Sequence, residues 1–172
     1  MSVTRIPSSW ARRAVVAVAA GAAVLLAGCA IPSQVPAGAT VEATQAQLGA
    51  PTGRYPLQDG GQRLQYSEQP AGSAVWNLDF DAAGRLQRTD QALRYPNFDQ
   101  IVLNQWTGND VLRMMGQPAR IERVAMFDGP VWTYRFNDLN NFRFIHVHLD
   151  PGGVVRRIQF TDESLYREPR AR

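Results

Sequence analysis

The chain has 172 residues, 18 basic against 15 acidic side chains, 45% hydrophobic and 19% charged residues, and one cysteine. That composition excludes an intramolecular disulfide framework, a cysteine-rich zinc fold, global disorder and a multi-pass membrane protein. The excess of positive charge sits in the first 28 positions, where Arg5, Arg12 and Arg13 stand without an acid, and residues 29–172 carry 15 charges of each sign. Net charge therefore gives no argument for nucleic acid, and no run of arginines is interleaved with stacking aromatics as nucleic-acid readers require.

Arg12 and Arg13 precede an uncharged stretch, Ala14 to Ala27, of Val, Ala, Leu and Gly. A basic segment followed by a short apolar one reads as an export signal over residues 1–28. At about 1.5 Å per residue the apolar run would span only about 21 Å as a helix, less than the roughly 30 Å of hydrocarbon that a permanent span must cross. Leu26-Ala27-Gly28 leads directly into Cys29, the only cysteine. This tetrad resembles the bacterial lipobox, which implies thioether acylation of Cys29 and removal of the signal. Two or three acyl chains together hold a protein on a bilayer for practical purposes permanently. Ala30 stands where, in lipoproteins of the enterobacterial kind, an aspartate favours inner-membrane retention. The resemblance thus implies an outer-membrane anchor facing the periplasm. Residues 29–38 read as a tether.

Beyond the tether one pattern occurs twice. Leu48-Gly49-Ala50-Pro51, Leu64-Gln65-Tyr66 and Trp76 to Leu86 are answered by Met115-Gly116-Gln117-Pro118, Trp132-Thr133-Tyr134 and Ile145 to Val155. The spacings between Gly49 and Gly116, Tyr66 and Tyr134, and Asp81 and Asp150 drift by one residue each, as small loop differences would give. This is an internal duplication. Thr107 with Asp110 gives a helix start, Val111, Leu112 and Met115 its apolar face, and Gly116 with Pro118 its stop. Trp132, Tyr134 and Phe136, then Ile145, Val147 and Leu149, alternate with polar residues as half-buried strands do. Asp150-Pro151-Gly152-Gly153 turns the chain into a third strand through Val154, Ile158 and Phe160, and Asp81-Ala82-Ala83-Gly84 is its counterpart. The expected fold is α+β: two tandem modules, 39–94 and 95–164, each a short helical segment followed by a three-stranded antiparallel sheet. Tyr95-Pro96-Asn97 is expected to break regular structure at the join. The stretch from Arg156 to Arg172 mixes arginines with acids and reads as a disordered, solvated end rather than a lipid-binding patch, and residues 165–172 are expected to be a flexible tail.

The residues Pro36 to Thr40, Glu42 and Leu48-Gly49-Ala50-Pro51, repeated as Asn97 to Ile101, Thr107, Asp110-Val111 and Gly116-Gln117-Pro118, are similar to the helix start and stop of small outer-membrane lipoproteins of the BamE (SmpA/OmlA) type. Asn104-Gln105 stands where that family usually has a proline-glycine pair, and its smallest members have one module. The resemblance implies a non-enzymatic, lipid-anchored accessory subunit of the machinery that assembles outer-membrane β-barrels and keeps the envelope intact. Its implied partners are other proteins of that machinery, with anionic phospholipid as a further contact. The duplicated form also resembles the tandem fold of secreted β-lactamase-inhibitory proteins, which implies the alternative of a periplasmic inhibitor or protein-binding module.

Side chains capable of chemistry read as structural. His146 and His148, the two histidines, share one strand face and would supply half a metal site, but no cysteine is available to complete it. Asp79 and Asp81 have the same period-two spacing, without the cleft that paired carboxylates need for glycosidase chemistry. No phosphate loop or nucleophile elbow occurs. The reading is of no catalytic residues, no metal and no cofactor. Phe144, His146, His148 and Trp106 are the candidate interface residues, because large rigid side chains dominate binding energies.

Overall fold

The computed structural model describes residues 31–166. The expected export signal, the lipobox-like Leu26, Ala27, Gly28 and Cys29, and the end of the expected tail lie outside them. A 3-10 turn, Pro32–Gln34, leads to helix α1, Val41–Leu48, and then to strands β1 Gly53–Pro56, β2 Gln62–Ser67, β3 Val75–Phe80 and β4 Leu86–Gln91. A one-turn helix α2, Tyr95–Phe98, and helix α3, Gly108–Met115, precede β5 Arg120–Glu122, β6 Val131–Asp138, β7 Asn141–Leu149 and β8 Val155–Asp162, and a 3-10 turn closes at Glu163–Tyr166. The strands form two antiparallel sheets, ordered β1-β2-β3-β4 and β5-β6-β7-β8.

The expectation of a helical segment with a three-stranded sheet is thereby corrected: each sheet has four strands. The additional ones, β1 and β5, are edge strands of four and three residues, too short for period two to emerge, and their backbones pair on one side only. The join is also more regular than expected. Pro96 falls in the first turn of α2, where its missing N–H costs nothing. Residues 157–162, part of the stretch whose mixed charge reads as a solvated end, are paired in β8.

The two halves repeat one another bond for bond at several points. Thr40 caps α1 by accepting from the Ala43 N–H, and Thr107 caps α3 within a full capping box with Asp110. The two bonds from Thr107 hold the Asp110 carboxyl below the usual carboxylate range. Gly49 and Gly116 end the helices at φ +81° and +72°. Tyr66 Oη donates to the Gly49 carbonyl at 3.2 Å and Tyr134 Oη to that of Gly116 at 2.8 Å. Asp81 and Asp150 close equivalent turns, each accepting on one carboxylate oxygen from backbone N–H groups two to four residues later.

Each sheet packs one face on its own helix. Leu64, Tyr66, Leu78, Phe80 and Leu86 form the first core with Val41. Tyr134, Phe136, Ile145, Val147 and Leu149 form the second with Val111, Met114 and Met115. Val75, Ala92 and Leu93 from the first half also lie in the second core, so the two halves share packed interior. Thr44, wholly buried in α1, has a hydroxyl with no hydrogen-bond partner among the described residues, whereas the repeat places Val111 at the equivalent point of α3. Thr44→Val is therefore expected to raise stability by about 1 kcal/mol, because it removes an unsatisfied polar group without changing shape. Urea unfolding tests this, and a loss of stability would show that the hydroxyl has a partner.

Candidate functional site

Two sheet faces point away from the helices that cover their own cores, and they are used differently. On the first sheet this back face carries Arg63, Gln65, Asn77 and Asp79, and the C-terminal end of α3 lies on it. Asn77 Nδ2 donates to the Met114 carbonyl at 2.8 Å, Arg63 Nη1 to that of Arg113 at 3.1 Å, and Gln65 Nε2 reaches those of Leu112 and Arg113 at 3.4 and 3.5 Å. Gln65 Nε2 also donates to Asn77 Oδ1 at 3.0 Å. The last carbonyls of a helix lack intrahelical partners and carry the negative end of its dipole, so a row of donors is the complementary surface. Arg63 is held ready by a two-pronged pair with Asp79, at 2.6 and 2.8 Å. In return Arg113 Nη2 donates to the Pro56 carbonyl at 2.6 Å, with its guanidinium over the Tyr55 ring.

On the second sheet the back face carries Val131, Thr133, Arg135, Phe144, His146, His148, Arg157, Gln159 and Thr161, as the cross-strand register requires. His146 is buried between two hydroxyls: Nδ1 shares a hydrogen bond with Thr133 Oγ1 at 2.9 Å and Nε2 one with Thr161 Oγ1 at 2.8 Å. His148 is buried under Phe127, edge to face at 4.9 Å, and lies 3.1 Å from Arg157 Nη2. Over these residues a groove of about 250 Å³ opens, walled by Arg120, Glu122, Val124 and Gln159.

Sequence alternation placed both histidines on the face away from the core, but the structure shows them covered, not presented to solvent. The signal missing from the sequence was Phe127, whose segment folds back over His148. Phe144 is half-buried on the same face, 6.2 Å from the His146 ring. Trp106 is partly buried against the second core. Asp79 is committed to Arg63, and Asp81 to its own turn and Gln87. No group of three potential metal-ligating side chains comes together among the described residues, and none of their helices is long and apolar enough to cross a membrane. Sequence reasoning missed Gln65 and Asn77 altogether. The repeat pairs them with Thr133 and His146, and a buried amide where its counterpart is another residue was the only available sign.

Burial holds the His146 imidazole below the ordinary histidine range, against the pull of Glu122. Burial and Arg157 do the same for His148. The folded state thus keeps both rings neutral while the unfolded chain takes up protons below about pH 6.5. The stability involved is present above that pH and is lost as pH falls toward the folded-state values. The melting temperature is expected to drop between pH 7 and pH 5, and His146→Gln, which keeps a partner for each threonine, should flatten that drop. An unchanged pH profile in the variant would show that His146 does not contribute.

No family model matches the sequence, and no curated protein does. Among solved structures, the crystal structure of a DUF4309 family protein, YjgB, of Bacillus subtilis is 14% identical with a TM-score of 0.31, over 72% of this chain and 78% of that one.

Proposed function

We propose that this chain is a non-enzymatic protein-binding scaffold, lipid-anchored through Cys29 to the periplasmic face of the outer membrane, that serves as an accessory in outer-membrane β-barrel assembly. The observation that carries the protein-binding part is how the polar side chains are spent. Gln65, Asn77 and Arg63 grip helix carbonyls, Asp81 and Asp150 close turns, and His146 bridges two threonines. A fold whose polar side chains are spent on holding backbone elements is suited to recognise protein surfaces. The lipobox and the likeness to BamE-type lipoproteins support the location and the assembly role.

The test is affinity purification of the tagged protein from detergent-solubilised envelopes. Components of the barrel-assembly machinery are expected to co-purify, and their absence would defeat the assembly role. A soluble periplasmic enzyme as the main partner would favour the inhibitor alternative. Cys29→Ala is expected to release the chain from the membrane fraction, and its persistence there would refute the anchor.

A further inference from the structure

The two halves form a repeat array of two, and its ends do not match. Within the chain, the back face of the first sheet holds the C-terminal end of the following helix, α3. The back face of the second sheet holds no helix among the described residues. At the other end of the array, the outer side of α1 meets no sheet among the described residues: Ala43, Ala46 and Gln47 are exposed. α1 and α3 are alike where the internal contact needs them to be. Each has eight residues, each stops at a glycine of positive φ, and each has that glycine's carbonyl taken by a tyrosine of its own half. In α3 this leaves the carbonyls before the glycine for the sheet of the other half.

We propose that the back face of the second sheet docks the C-terminal end of α1 from a second copy of this chain, repeating the internal contact between molecules. The repeat puts Thr133, Phe144 and His146 where the first sheet has Gln65, Val75 and Asn77, and Val75 and Gln65 are the residues closest to Gly116 in the internal contact. The intermolecular landing surface again carries donors, with Arg157, Gln159 and an Arg120 paired to Glu122 around the groove, much as Arg63 is paired to Asp79 on the first sheet. Its two arginines outnumber its one acid and complement the negative end of a helix. Phe127 covers the adjacent His148 and leaves Gln159 exposed beside His146. A contact that joins different surfaces of identical chains is heterologous, so it propagates head to tail instead of closing as a symmetric dimer. Self-association of this kind is independent of any other partner of the protein.

The experiment uses the full chain in the envelope, with exposed positions replaced so that folding is not disturbed. Gln47→Cys lies on α1, and Gln159→Cys beside His146 on the second sheet. Under mild oxidation neither single variant is expected to cross-link, co-expression of the two should give a covalent dimer, and the double variant should give a ladder of higher species. Gln58→Cys, in the exposed turn after β1, replaces Gln47→Cys in the control and should give none of these. A mixture that yields no dimer, a Gln159→Cys variant that dimerises with itself, or a control that cross-links equally would overturn the proposal.

Discussion

Gly116→Ala is expected to cost about 3–5 kcal/mol, against about 1–3 kcal/mol for Gly49→Ala, although the two glycines end equivalent helices. Both have a positive φ with ψ at −165°, a region that residues with a Cβ avoid. That strain is common to the two substitutions. A Cβ on Gly49 would meet nothing within 4 Å, whereas one on Gly116 would stand 2.7 Å from Gln65 Oε1. Gln65 is 2% exposed and cannot retreat without giving up its bond to Asn77 and its reach to the α3 carbonyls. The difference between the two variants in urea unfolding therefore measures the tightness of the contact between the halves. Equal costs would show that the first sheet does not grip α3.

The second large effect is expected at Asn77, which is 1% exposed. Asn77→Leu keeps the approximate volume but strands the Met114 carbonyl and takes an acceptor from Gln65 Nε2, and the expected loss is about 2–4 kcal/mol. Hydrogen exchange should show the last turn of α3 losing protection first, since its carbonyls lose the donors that fix the helix end. His146→Leu, at the equivalent place in the second half, should cost about 1–2 kcal/mol, because it takes the ring from two threonine hydroxyls but strands no helix carbonyl. A double variant of Asn77 and Gln65 should fall short of the summed single losses, since both act on one network. If Asn77→Leu were neutral, the amide would be a bystander and the halves would be joined by the other donors to α3 and by the packing of Val75, Ala92 and Leu93.

Much of the local structure was legible in the sequence because it is built from local rules. Thr107 and Asp110 announce a capping box, Gly49 and Gly116 announce helix ends, and the Asp-to-Gly turns announce hairpins, each through bonds made within a few residues. The alternation along β6 and β7 picked out Tyr134, Phe136, Ile145, Val147 and Leu149 of the core, but not the burial of the opposite face at Thr133, His146 and His148. Edge strands β1 and β5 were not legible, since they are shorter than the period that would reveal them. The one-turn α2 was hidden for the same reason, and is held by its own Tyr95 and Phe98 rings against Phe136 and Phe160, which come from distant positions.

The order of residues carries the duplicated grammar of helix, turn and strand, together with the lipobox-like leader. Which sheet face is occupied, and by what, emerges only when the chain is folded. A helix end is recognised through its backbone carbonyls, which every residue possesses and which leave no mark in the order of side chains. For the same reason Gln65, Asn77 and Phe127 acquire their roles only when residues 37 to 48 positions away, or a returning loop, are brought against them.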